Sequence, residues 1–190
     1  MQIYVVRHGR TQANAAGQLL GRADPDLDDV GIEQAAAIAA VLPSGLRVVS
    51  SPLARTTQTA LAITTEIETD ERALELDYGD LDLVPLTEVP AEVWSKWRAD
   101  VDFIPAGGES LRQVNDRVAE LLSELAAADD GRDVALVTHV SPIKASVAWA
   151  LGVGPEISWR AHVAQASISR ISVTGDRISL QSFNDVGHLS

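Results

Sequence analysis

The sequence predicts an α/β fold on a largely parallel sheet, and three observations carry that prediction. Strand-like and helix-like segments alternate along the chain, as they do in successive βα units. Ile3-Tyr4-Val5-Val6 and Val134-Ala135-Leu136-Val137 are uninterrupted apolar runs that read as buried strands. Three strand-to-helix junctions, at 6–11, 50–55 and 138–144, repeat one pattern. In doubly wound folds such junctions share the sheet edge where ligands bind.

Residues 2–6 form the first expected strand. Asp28-Asp29 precede an alanine-rich amphipathic stretch that ends near Leu42, where Pro43 stops it. Arg47-Val48-Val49-Ser50 is a short strand. Ser51-Pro52 then opens a helix through about residue 66, with serine as N-cap and proline at the first helical position. Residues 70–108 hold Pro85, Pro90, Pro105 and Gly107-Gly108 and are the least regular, with one short helix around 92–99. Ser110 caps a long helix to about Ala128. Residues 133–138 are a strand, and Ser141-Pro142 opens another helix to about Leu151. Segments 166–174 and 177–183 alternate like two antiparallel strands around Gly175-Asp176.

A length of 190 residues suits one domain, 1–190, with a full core, and no repeat or linker divides it. The chain has no cysteine, so disulfides and thiolate metal sites are closed to it. No apolar run approaches the roughly 20 residues that span a bilayer. Met1-Gln2 lead into the first strand without a signal-peptide pattern, so the expected location is the cytoplasm. A net charge of -12 argues against nucleic acid or an anionic membrane as partner. It leaves room for a small anionic substrate, because local positive charge overrides the global field within a Debye length of about 8 Å.

The junctions carry the candidate chemistry. Arg7 can hold a phosphate bidentately, His8 can attack phosphorus, and Gly9 can bring backbone close to phosphoryl oxygens. Read blandly, the same residues are a strand surfacing at a glycine turn. Arg55, early in its helix, opposes the helix dipole by roughly 0.3–1 kcal/mol unless an anion binds there; the bland alternative is a solvated arginine. Arg10 raises the same question and points less clearly inward. His139 ends the second apolar strand in the position matching His8, with the Val140 N–H beside it; a core histidine bonded to a carbonyl is its ordinary reading. Glu71, Glu75 and Asp77 are three carboxylates able to serve as a general acid, and charge alone does not choose among them. A metal site is disfavoured, because no carboxylate stands at ligand spacing from either histidine and Arg7 would repel a cation. No phosphate-binding P-loop, dinucleotide fingerprint or serine elbow is present.

Together these motifs resemble the histidine phosphatase superfamily, with its phosphoglycerate mutase-like fold. The resemblance rests on Arg7-His8-Gly9-Arg10-Thr11, Asn14, Gly21-Arg22, the stretch Leu27 to Ala35, Ser51-Pro52-Leu53-Ala54-Arg55-Thr56, Leu74-Glu75 with Tyr78-Gly79, Gly107-Gly108-Glu109-Ser110, and Thr138-His139. It implies a three-layer αβα sandwich around a mixed, mainly parallel sheet. It also implies a phosphohistidine on His8, hydrolysed by water, with Arg7, Arg55 and His139 completing the phosphate pocket. By analogy Glu75 is the proton donor, Asn14 a secondary phosphate contact, and Arg22 part of a loop bordering the substrate. No metal or organic cofactor is implied. The expected partner is a small phosphorylated metabolite. Several family members dimerise, although no exposed apolar stripe commits this chain to a homodimer.

Mutases of that family carry a long, basic insertion between the acid and the second histidine. Here the corresponding region, a lid at about 76–108, holds only Lys96 and Arg98 as basic residues, which favours a phosphatase of broad specificity over a phosphoglycerate or phosphosugar mutase. A non-catalytic phosphate-binding relative is a further alternative, opposed by the presence of His8, Arg7, Arg55, Glu75 and His139 together. Two departures stand out. His139 is followed by Val140 where the family often has glycine, and Asp80-Leu81-Asp82-Leu83 replaces an aromatic, an acid and a glycine. Lys144 reads as a helix-surface lysine, with added charge in the pocket as the alternative. Trp94 and Trp97 read as lid packing, with substrate contact as the alternative.

Overall fold

The computed structural model describes residues 1–128 and 131–190. Its first strand, β1 (Gln2–Arg7), leads through Thr11 into a single helical turn, α1 (Gln12–Ala15). The next elements are α2 (Asp29–Val41), β2 (Arg47–Ser50), α3 (Ala54–Ile63) and β3 (Ile67–Thr69). Two 3-10 turns, Glu71–Ala73 and Gly79–Leu81, precede α4 (Ala91–Ala99) and α5 (Leu111–Ala127). The chain closes with β4 (Val134–Thr138), α6 (Val140–Leu151), a 3-10 segment (Pro155–Trp159), β5 (Ile168–Thr174) and β6 (Arg177–Asp185).

The strands form one sheet in the order β3-β2-β4-β1-β5-β6. The four from β3 to β1 are parallel, and β5 and β6 add antiparallel strands beside β1. β4 is buried along its whole length because it lies between β1 and β2 with helices over both faces, which is why its sequence is uninterrupted in apolar character. Alternate residues serve opposite faces. Ile3, Val5, Val134 and Leu136 pack in the larger core with Val114, Val118 and Leu122 of α5 and Ile143 of α6. Val6, Ala135 and Val137 pack with Ile38 of α2 and Ala60 of α3. The result is the three-layer arrangement expected.

α5 shows most directly how the pattern makes the element. Leu111, Val114, Val118, Leu121, Leu122 and Leu125 fall on one face at three- and four-residue spacing and are all buried. Ser110 starts it with a reciprocal cap, its hydroxyl accepting from the Gln113 N–H while the Gln113 side chain accepts from the Ser110 N–H. Truncating Leu122 to alanine would remove packing worth about 2–5 kcal/mol.

Three sequence expectations need correction. α3 begins at Ala54, and its N-cap position, Leu53, contributes no side-chain bond, so neither Ser51 nor Pro52 starts it. It also ends at Ile63, because the chain turns extended at Thr64 to enter β3, a strand the sequence pattern does not reveal. α6 begins at Val140, with His139 itself at the N-cap position, one residue before the expected Ser141.

Candidate active site

The carboxyl ends of β1, β2 and β4 lie side by side, so the residues that follow them meet. His8 follows β1, Ser51 follows β2 and His139 follows β4, and all three are buried. The two imidazoles stand edge to face with centroids 5.1 Å apart. Arg55 and Glu75 are equally enclosed, at 0 % and 3 % exposure, so one guanidinium, two imidazoles and one carboxylate share a cluster shielded from water, with the half-buried Arg7 beside it.

Each side chain is held by identifiable partners. His8 Nδ1 lies 2.6 Å from the Gly9 carbonyl oxygen, an acceptor only, so Nδ1 carries the proton and Nε2 is left with a free lone pair. Arg55 donates through Nη1 and Nη2 to the carbonyls of Ala23 and Gly21, both at 2.8 Å, and through Nε to His139 Nδ1 at 3.3 Å. His139 therefore carries its proton on Nε2, which donates to the Ser51 hydroxyl at 2.9 Å. Glu75 accepts three backbone N–H groups: Leu76 at 2.7 Å and Ser141 at 3.0 Å on Oε1, and Val140 at 2.9 Å on Oε2. The last two come from the first turn of α6, whose free N–H groups favour an anion. Arg7 donates to the Val163 carbonyl through Nη1 at 2.8 Å, and its Nε is buried without a partner.

Burial and the neighbouring Arg55 and Arg7 guanidiniums hold His8 well below the ordinary histidine value of 6.5, against the opposing bond to Gly9. Burial, then Arg55, His8 and Arg7, do the same for His139. Burial lowers Arg55 to about 10, opposed mainly by Glu75, so it stays cationic at neutral pH. The cluster thus offers a neutral, unprotonated imidazole nitrogen beside guanidinium charge, which is the arrangement needed for attack on a phosphoryl group. Among the described residues, no group of three or more histidine, cysteine or carboxylate side chains is placed to hold a metal ion.

Other sequence candidates fall around this cluster. Asn14 and Thr11 cap α1 reciprocally, each side chain accepting the other's backbone N–H at 3.2 Å. Arg22 sits between the two residues whose carbonyls hold Arg55, with Nε 3.7 Å from Asp77 and Nη2 3.6 Å from Glu109. Arg10 pairs with Asp28 at 2.8 Å, on the start of α2. The Val140 N–H is spent on Glu75, because the early start of α6 aims it there. Gly9 owes its identity to packing: a Cβ there would lie 2.3 Å from the Gly31 carbonyl oxygen, and its own N–H donates to Thr59.

The family model of the histidine phosphatase superfamily (branch 1) matches residues 3–186. The chain belongs to that superfamily. A glucosyl-3-phosphoglycerate phosphatase of Mycolicibacterium vanbaalenii is 35% identical over 190 residues, covering 92% of this chain and 84% of that protein. A bifunctional protein of Mycobacterium tuberculosis is 32% identical over 199 residues, covering 99% of this chain; the chain spans only 55% of that relative's length. A phosphoserine phosphatase of Entamoeba histolytica, a histidine-to-alanine mutant solved with phosphoserine, superposes with a TM-score of 0.92 at 25% identity, covering 100% of this chain and 99% of that one. Two of these three relatives are named as phosphatases.

Within the superfamily frame, two residues emerge that sequence reading missed. Ser51 looked like a helix cap, yet its hydroxyl meets His139. Asp82, one of the departures, accepts from the backbone N–H groups of Gly21, Arg22 and Ala23 at 2.7, 2.9 and 2.6 Å. It thereby fixes the loop whose carbonyls hold Arg55. A carboxylate two residues into an irregular Asp-Leu-Asp-Leu run was the available signal, but nothing local told which backbone it would face.

Proposed function

We propose that this chain is a phosphomonoester phosphatase, a hydrolase working through a phosphohistidine on His8 without a metal. The observation that carries this reading is the bare His8 Nε2, fixed by the Nδ1 bond to Gly9, inside a buried cluster with Arg55, His139 and Glu75. In the first step Nε2 bonds to phosphorus, and the bond from phosphorus to the leaving oxygen breaks. Arg7 and Arg55 hold the equatorial oxygens and neutralise their charge, and His139 joins them by turning its Nε2–H from the Ser51 hydroxyl to the phosphate. Glu75 gives its proton to the leaving oxygen. In the second step Glu75 takes a proton from water, whose oxygen displaces His8 from phosphorus. Asn14 adds a phosphate contact and Arg22 borders the entrance, while Val140 acts by holding Glu75.

The chain from 1 to 190 works as one domain in this reading, with 76–108 as its lid and a small phosphorylated metabolite as its ligand. A cytoplasmic location and a homodimer belong to the same reading; among the described residues no helix is long and apolar enough to cross a membrane. Phosphatase is favoured over mutase because the lid's two basic residues lie against aromatic rings. Lys96 sits 5.9 Å from the centroid of Phe103, and Arg98 sits 5.9 and 5.8 Å from those of Trp94 and Trp159. Neither is placed to clamp a second anion.

The test is hydrolysis of phenyl phosphate with EDTA present. The parent should turn over, and His8→Ala should lose about a thousandfold or more, the scale of removing a nucleophile. Equal rates in the two proteins, or loss of parental activity on chelation, would overturn the proposal.

A further inference from the structure

A cavity of about 220 Å³ lies next to the residues that hold Glu75. Leu76, Val140 and Ser141 line it, and these are the three residues whose N–H groups hold the Glu75 carboxylate. Glu75 therefore stands on the partition between the imidazole cluster and this cavity. The group that Glu75 would protonate is the leaving oxygen, and this cavity is the space that adjoins the residues anchoring Glu75.

Its walls state what leaving alcohol it suits. Leu19, Leu111, Trp94, Trp97 and Trp159 make them largely apolar and aromatic. The rings interlock: Trp97 meets Tyr78 at 5.7 Å and Trp94 at 5.7 Å, and Trp94 meets Trp159 edge-on at 6.3 Å. A polyhydroxylated sugar would leave most of its hydroxyls unpaired against such a surface, at about 1–3 kcal/mol for each buried one. A cavity of about 150 Å³ takes a benzene ring, so this one takes a ring with a substituent.

One charged side chain faces this apolar space. Lys144, on the second turn of α6, lines the cavity and forms no hydrogen bond or ion pair among the described residues. Burial pulls its pKa down, opposed by Glu75 and reinforced by Arg7. A partly desolvated ammonium with no carboxylate in contact gains from pairing when an anion arrives.

We propose that the cavity is the leaving-group subsite and selects phosphomonoesters of aromatic alcohols that carry a carboxylate, the ring lying against the tryptophans and the carboxylate pairing with Lys144. The inference rests on the phosphatase reading, and it narrows the broad specificity expected from the sequence.

The experiment compares para-carboxyphenyl phosphate with its carboxamide, and phenyl phosphate as reference, for the parent, Lys144→Met and Lys144→Arg. The parent should favour the carboxylate over the amide by about tenfold or more in kcat/KM, as expected for a partly buried charge pair. The preference should fall to near unity in Lys144→Met and return in part in Lys144→Arg. Equal rates for carboxylate and amide in a parent that hydrolyses phenyl phosphate would overturn the subsite and leave the phosphatase reading standing. A separate titration reads the subsite without catalysis: para-hydroxybenzoate added to His8→Ala should quench tryptophan fluorescence, and a further Lys144→Met change should weaken it about tenfold. Should no aryl phosphate turn over, the phosphatase reading fails, and this titration alone decides the subsite. Absence of saturable quenching would then overturn it.

Discussion

At the scale of single residues, the site is a set of proton positions fixed by neighbours. The Gly9 carbonyl fixes the His8 tautomer, and Arg55 fixes that of His139. Both imidazoles are pushed well below 6.5 by burial and then by Arg55. Attack requires neutral His8, so a lowered pKa keeps the nucleophile competent at mildly acidic pH. The expected outcome is a kcat/KM profile for phenyl phosphate whose His8-dependent acid limb lies well below pH 6.5. The profile should be taken with a substrate whose own phosphate ionisation is corrected for. An acid limb at or above 6.5 that persists after this correction would mean that His8 is not held neutral by the cluster.

At the scale of elements, the strand-to-helix junctions were legible because apolar runs and punctuating prolines mark them, and the family motifs sit on those same junctions. The first histidine, the second histidine and Arg55 could be read from position. Three things could not. β3 is three residues long with Glu68 and Thr69 exposed, so it carries no periodicity, and only its pairing with Val48, Val49 and Ser50 makes it a strand. Ser51 satisfies a local rule for helix caps, yet the partner that wins its hydroxyl, His139, is remote in sequence. For Lys144 the sequence offers both a surface and a pocket reading and favours the surface, yet it lines a cavity, because α4 and the 3-10 segment Pro155–Trp159 cover that face. Asp82 shows the same limit and allows a sharp test. Asp82→Asn replaces a charged acceptor of three N–H groups with a neutral one, and hydrogen bonds to charged groups contribute about 1.5–3 kcal/mol each at most. The loop 21–23 should loosen, and with it the grip on Arg55. The expected result is a modest fall in thermal stability together with a several-fold weaker affinity for inorganic phosphate in the mutant. Unchanged phosphate affinity with a lowered melting temperature would make Asp82 structural only.

At the scale of the whole molecule, the sheet concentrates its unusual ionisations at one edge, and folding stability must therefore depend on pH. His8 and His139 are buried and held neutral, whereas in the unfolded chain each titrates near its ordinary value of 6.5. Their folded pKa values are lowered, so the unfolded state binds more protons in the window below 6.5. Stability contributed by keeping them neutral is fully present above that value and is lost as pH falls toward the folded values. Each group contributes a slope of up to about 1.4 kcal/mol per pH unit in that window. Carboxylates that are paired in the fold, Asp70 with Arg72 among them, add acid sensitivity only at lower pH, since Asp70 is drawn down from 3.8. Urea unfolding at a series of pH values from 7.5 to about 5, in phosphate-free buffer, separates the two contributions. The parent should lose stability progressively below pH 6.5. His139→Gln, with no titrating imidazole at that position, should show a shallower decline in the same window, even if it is less stable at pH 7.5. Parallel declines in the two proteins would place the acid sensitivity elsewhere and remove His139 from the set of groups that the fold holds neutral.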